Sequence, residues 1–122
     1  MTAEGMSADD KKAIHSEFSH LVNMPPGRLR AWLGSDESRS VGMTSSGEKV
    51  TDGSQPESVG HHMGERILAI HAKKQAELSD DDFADMRKVI GYIHRHTAQR
   101  PKGDITDTRW RRSLMNWGHD PK

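Results

Sequence analysis

SDDDFADMRKVIGYIHRHTA occupies residues 79–98. Within it Phe83, Met86, Ile90, Ile93 and Thr97 recur at intervals of three and four, the spacing of one face of a helix. Ser79 supplies an N-cap oxygen, and Asp80, Asp81 and Asp82 crowd the positive end of the helix dipole. Pro101 stops the run, so the spacing predicts a helix to about Ala98. A helix with a single apolar stripe is stable only when that stripe is buried against a neighbour. The flanking sequence therefore has to supply partners.

Upstream, Ser54, Pro56 and Glu57 read as a capping box opening a third helix. Val59, Met63, Ile67 and Ile70 line one face of it, and Lys73 and Lys74 end it. Gly60 and Gly64 lie one turn apart on an adjacent strip. Because glycine weakens a helix, this pairing predicts that another helix approaches closely there. Further upstream, Ser7 and Asp10 form a capping box for a first helix carrying Ile14, Phe18, Leu21 and Val22. Asn23, Met24 and Pro25 break that helix. Pro25 and Pro26 then open a second one with Leu29, Trp32 and Leu33 on its stripe, ended by Gly34. Downstream, Asp104 and Asp107 begin a fifth helix whose face holds Trp110, Leu114 and Trp117, closed by Gly118.

No alternating run is long enough for a strand. The expectation is an all-α fold of about five helices in a small orthogonal or bundle-like domain. Residues 1–6 read as a disordered tail and 7–122 as a single domain. Residues 35–55 offer only Val41, Met43 and Val50 for burial among Ser, Gly, Asp, Glu, Lys and Thr. The expectation there is a long mobile loop acting as a solvated tether.

The chain has 122 residues, 32% apolar and 30% charged, with 18 basic and 18 acidic side chains and no cysteine. Disulfides and thiolate metal sites are excluded. No apolar run reaches the length of a membrane span, and the N-terminus lacks the apolar core of a secretory leader, so no membrane partner and a cytoplasmic location are the expectation. The zero net charge hides an asymmetry. Residues 1–60 carry nine acids against six basic side chains, whereas residues 86–112 carry eight basic side chains against Asp104 and Asp107. His94 and His96 lie inside the basic segment.

That asymmetry is the main clue to a partner. Arg87, Lys88, Arg95, Arg100, Lys102, Arg109, Arg111 and Arg112 form a basic block suited to phosphate oxygens. Arg28 and Arg30 lie on the second helix of what outlines a helix-turn-helix, where they would read bases. The competing reading is a solvated face with internal ion pairs. The expected function is nucleic-acid association, with DNA held through the basic block. The alternative is a protein-interaction module that docks an acidic partner or a second copy of itself. Catalysis is not expected. The serines lie mostly in the loop, the carboxylates sit at helix starts where capping explains them, and no glycine-rich phosphate cradle follows a strand. No cofactor or metal is expected either. His61 and Glu65, one turn apart, could reach a common ion, but no His-Glu-x-x-His run accompanies them. Trp110 and Trp117 read as core anchors rather than base-stacking platforms. Asn116, His119 and Asp120 read as structural, with Asn116 and Asp120 tying the C-terminus to the turn after residue 100.

Several runs carry a resemblance. They are Val22-Asn23-Met24-Pro25 through Leu29, Trp32 and Leu33; Glu37-Ser38-Arg39-Ser40-Val41-Gly42; Glu57-Ser58-Val59-Gly60-His61; Met86-Arg87-Lys88-Val89-Ile90-Gly91-Tyr92; His94-Arg95-His96; and Ser113 to Pro121. The chain resembles a family of short uncharacterised bacterial and fungal proteins, a domain of unknown function, over nearly all of its length after residue 17. The closing Asn-Trp-Gly-His-Asp-Pro run is the most specific part. Some members carry the label DNA-binding protein, so the resemblance implies a DNA partner. It brings no catalytic or binding residues with it.

Overall fold

The computed structural model describes residues 7–44, 46–52 and 55–122. Residues 1–6, read as a tail, and Ser54, read as a cap, lie outside the described residues. The described residues form six α-helices: α1 (Ala8–Leu21), α2 (Pro26–Leu33), α3 (Asp36–Arg39), α4 (Val59–His71), α5 (Asp80–Thr97) and α6 (Arg109–Asn116). Among them there is no strand, only an isolated antiparallel bridge between Met43 and Lys49. The all-α expectation holds, with α3 as an addition inside the segment 35–55.

The ends of the elements follow local chemistry. Ser7 and Asp10 close a reciprocal capping box on α1, and Ser79 and Asp82 do the same on α5. Pro26 takes the first position of α2. The start of α4 differs from expectation. Ser58, not Ser54, is the N-cap, and its Oγ accepts from the His61 amide at 3.0 Å. This leaves Pro56 and Glu57 ahead of the helix. The start of α6 also lies later than Asp104 and Asp107, because Thr108 is the residue whose Oγ1 accepts from the Arg111 amide. Asp104 instead accepts from the Thr106 amide at 2.9 Å, a local turn that competes with helix.

α1 packs along α5 and α2 along α4, while α6 is set against α2, α3, α4 and α5. Phe18, Leu29, Ile67, Met86, Ile93 and Leu114 form the fully buried centre. The predicted close approach at α4 is present. A Cβ at Gly60 would meet Trp117 Nε1 at 2.7 Å, and one at Gly64 would meet the Asn116 carbonyl oxygen at 2.5 Å and Leu33 Cδ2 at 2.6 Å. Bare backbone on this strip lets the C-terminal end of α6 and the end of α2 seat against α4.

The segment 35–55 is not devoid of buried groups. Ser38, Val41, Thr44 and Val50 are all buried. A 2.8 Å hydrogen bond from Val50 N to Gly42 O closes residues 42–50 on themselves, and one from Val59 N to Met43 O, also 2.8 Å, ties them to the start of α4. Few apolar residues suffice here because backbone and polar side chains, rather than an apolar stripe, make the attachment.

Candidate functional site

The sequence assigns ten basic residues to nucleic-acid contact, eight in the basic block and Arg28 and Arg30 on the second helix, and the fold separates them into two sets. Arg28, Arg109 and Arg111 are engaged internally. Arg109 donates from Nη1 to the Ser40 carbonyl at 2.9 Å and from Nη2 to the Val50 carbonyl at 2.7 Å, clamping the segment 40–50 onto α6. Arg111 donates from Nε and Nη2 to the two carboxylate oxygens of Asp120, each at 2.9 Å, and from Nη1 to the Thr106 carbonyl at 3.0 Å. Arg28 reaches the same carboxylate from α2. Burial alone would raise the Asp120 pKa, but the hydrogen bonds from Arg111 and Arg28 outweigh it and hold the group well below the usual carboxylate range.

The second set is Arg30, Arg87, Lys88, Arg95, Arg100, Lys102 and Arg112. None of these side chains makes a hydrogen bond or ion pair with another described residue. All are exposed except Arg112, which is half-buried. Lys88 and Arg95 are seven residues apart, and thus on one side of α5. Arg95 lies back along the helix over Gly91. The Arg100 guanidinium sits over the Trp110 ring, 5.6 Å from its centroid. Of the helix-turn-helix outline, only Arg30 remains open on α2, whose Leu29 and Leu33 are buried in the core.

Trp110 and Trp117 belong to a stack that sequence spacing does not show. Trp117 lies 4.1 Å from Tyr92, Tyr92 lies 5.1 Å from His96, and His96 lies 5.8 Å from Trp110, all close to parallel. Trp110 Nε1 donates to the His96 carbonyl at 2.7 Å, and His96 Nε2 donates to the Trp110 carbonyl at 3.2 Å. Each inner ring has its faces covered by its neighbours, and Arg100 covers the outer end. The stack therefore acts as a seam between α5 and α6, in line with the anchor reading. Burial pushes the Tyr92 hydroxyl up to about 12 against an opposing hydrogen bond from Ser113. Burial likewise lowers His96, opposed by its bond to the Trp110 carbonyl. The edges of Tyr92, His96 and Trp117 line a cavity of about 560 Å³ together with Met43, Lys49, Val59 and Arg109. Met43 and Val59 are the large apolar side chains left exposed among the described residues.

Asn116 and Asp120 are structural, but their partners differ from expectation. Asn116 Oδ1 accepts from Trp32 Nε1 at 2.8 Å and from Ser38 Oγ, and its Nδ2 donates to the Ser38 carbonyl at 3.0 Å. It thus joins α6 to α2 and α3 rather than to the turn after residue 100. Asp120 and Asn23 exchange backbone and side-chain hydrogen bonds, and His119 Nδ1 donates to the Leu21 carbonyl at 2.6 Å. The closing segment is therefore tied to the α1–α2 turn, and it also meets the turn after residue 100, where Lys122 Nζ donates to Thr106 Oγ1 and Arg111 joins Asp120 to the Thr106 carbonyl.

His61, paired with Glu65 by sequence spacing, is buried and gains a second carboxylate neighbour in Glu57. The sequence reads Glu57 as a capping residue. Its contact with His61 follows from the later helix start at Ser58, which leaves the carboxylate free of any capping duty. Desolvation would raise the Glu57 pKa, yet its bonds with His61 and Glu65 bring it below the usual value, while Glu65 is raised chiefly by its contact with Glu57.

A family model described as "Protein of unknown function (DUF3140)" matches residues 17–115. The chain belongs to this family. The match spans α2–α5 whole, with the C-terminal end of α1 from Glu17 and most of α6, and so includes the Arg109 clamp, the aromatic stack as far as Trp110, and the His61 cluster. No curated protein and no solved structure matches this DUF3140 chain. Among the described residues no helix is long and apolar enough to cross a membrane.

Proposed function

We propose that this DUF3140 protein is a DNA-associated helical module that holds the phosphate backbone electrostatically. The observation that supports the reading is the set Arg30, Arg87, Lys88, Arg95, Arg100, Lys102 and Arg112, whose charges are not neutralised by internal acids. Arg95 lies in the last turn of α5, and Arg100 and Lys102 follow in the turn after it, so three exposed cations fall within eight residues of chain. Arg28, Arg109 and Arg111 do not form part of the proposed surface, because moving them to a phosphate would break internal hydrogen bonds that are shielded in part from solvent. The test is titration of fluorescent duplex DNA at two salt concentrations with the wild-type protein and with Arg95→Ala/Arg100→Ala/Lys102→Ala. Affinity that falls with salt, with a shallower dependence in the triple variant, supports the reading. Absent binding at low salt, or affinity indifferent to salt, overturns it.

A second reading is a protein-interaction module. It is favoured by Met43 and Val59, exposed at the edge of the 560 Å³ cavity, which together could seat an apolar side chain of a partner or of a second copy. Concentration-dependent mass in light scattering that is abolished by Met43→Glu supports the self-association version. A constant monomer mass removes it.

A further inference from the structure

His61 Nε2 lies 2.7 Å from the carbonyl oxygen of Leu33, the last residue of α2. A carbonyl oxygen only accepts, so Nε2 carries a proton. In the neutral ring Nδ1 is then a bare lone pair. That lone pair points at the carboxylate of Glu57, and Glu65 Oε1 lies 3.4 Å from Nδ1, beside the Glu57 carboxylate. One ligand atom from each of the three residues lies within 4.8 Å of the other two. Glu57, His61 and Glu65 are spaced by four and four, so α4 and the residue ahead of its cap present them along one edge.

Three acceptors that converge in this way require something positive between them. A proton, on Nδ1 or shared between the Glu57 and Glu65 carboxyls, is one solution and a metal ion is the other. Two further features favour the ion. The His61 side chain is 10% exposed and is fixed from behind by a backbone carbonyl, the support commonly given to a metal-bound imidazole. A small cavity of about 200 Å³, bordered by Arg39, Gln55, Glu57, Ser58 and His61, opens beside the cluster. It gives water or a small anion access to complete the coordination shell.

We propose that Glu57, His61 and Glu65 bind a divalent first-row transition ion through one imidazole nitrogen and two carboxylate oxygens, with an open position toward the small cavity. A donor set of one nitrogen and two oxygens without sulfur suits Zn²⁺ and its neighbours in the series rather than a soft ion. The site is separate from the exposed basic set, and the inference does not depend on the DNA reading.

The test uses the full chain without an affinity tag, stripped with chelator. Zn²⁺ is titrated by calorimetry and Co²⁺ by visible absorption, and the His61 ring nitrogens are followed by ¹⁵N NMR. The expected result is one tight equivalent, a Co²⁺ band of low-coordinate intensity, and a Zn²⁺-dependent shift confined to Nδ1 of His61. Glu65→Gln, at a side chain 57% exposed, leaves the fold intact and weakens that equivalent by about tenfold or more. His62→Ala, an exposed neighbour, leaves it unchanged. Zn²⁺ binding that is equal in wild type and Glu65→Gln would place the ion on surface histidines and overturn the proposal. So would an His61 ring that stays doubly protonated at neutral pH with Zn²⁺ present, since the occupant would then be a proton.

Discussion

Arg111 and Asp120 meet edge to edge, Nε 2.9 Å from Oδ1 and Nη2 2.9 Å from Oδ2. The two side chains are 18% and 5% exposed, so the pair is largely out of water. The remaining donors around the carboxylate, Arg28 and the Lys122 amide, satisfy it from α2 and from the C-terminus. Removing one member of such a pair leaves a buried charge without compensation, at a cost of about 3 kcal/mol or more. Asp120→Ala is therefore expected to lower the urea midpoint and to drop Tm by more than about 10 °C. Arg111→Lys is expected to keep only part of the stability, because an ammonium cannot reproduce the fork. Parallel urea and thermal melts of the three proteins check both statements.

Acid should unfold the protein through two carboxylates. Asp82 is fully buried and accepts from Lys73 Nζ at 2.7 Å, the Ser79 amide at 2.9 Å and Arg66 Nη2 at 2.9 Å. Burial raises its pKa, but those bonds together prevail and leave it far below the ordinary 3.8. Asp120 is displaced in the same direction. A carboxylate depressed in the folded state contributes stability that is fully present above its unfolded pKa and is lost as pH falls through the folded one. Stability from these groups should hold above about pH 4 and decline progressively below it. Asp82→Asn is expected to be less stable near neutrality and to show a shallower decline on the acid side, measured by urea unfolding at a series of pH values.

Two helical glycines should respond to alanine with opposite signs. Gly27 in α2 has nothing within 4 Å of the position a Cβ would take, so Gly27→Ala gains helix propensity and stabilises by about 0.5–1 kcal/mol. At Gly64 the new methyl would sit 2.5 Å from the Asn116 carbonyl oxygen, which is backbone and cannot swing aside. Overpacking of this kind costs about 1–3 kcal/mol and exceeds the propensity gain. Urea unfolding of the two variants checks the signs. Equal shifts in the same direction at both sites would mean that the approach of α6 to α4 is looser than described.

The helices are legible in the sequence because their signals are local. The three-four spacing of Phe83, Met86, Ile90 and Ile93, the cap at Ser79 and the glycine strip on α4 each follow from neighbouring residues, and each is present in the fold. What stays hidden depends on residues distant in sequence. Arg109 reads as part of a basic face, yet its carbonyl acceptors at Ser40 and Val50 lie more than fifty residues away. Ser38 and Val41 read as loop residues, because the Asn116 amide that meets Ser38 is on α6. At the histidine cluster His61 and Glu65 are legible as a pair. Glu57 is not, because a capping motif with Ser54 offers an equally local reading of the same carboxylate.

The clamp and the proposed DNA surface can be separated by one comparison. Arg109→Ala removes two charge-assisted hydrogen bonds to carbonyls and should loosen residues 40–50. The expected result is faster hydrogen exchange at the Val50 amide, which is bonded to Gly42 O at 2.8 Å, and a stability loss of about 2–3 kcal/mol. Because this guanidinium is engaged internally, the slope of log affinity against log salt for duplex DNA should match wild type under conditions where both proteins are folded. Arg95→Ala/Arg100→Ala/Lys102→Ala should do the reverse. These side chains make no internal hydrogen bond or ion pair, so stability should change little beyond the absence of the Arg100–Trp110 interaction. Every phosphate that is no longer neutralised makes the slope shallower by roughly one. A slope that shifts with Arg109→Ala and not with the triple variant would move the DNA surface to the α6 side of the segment 40–50.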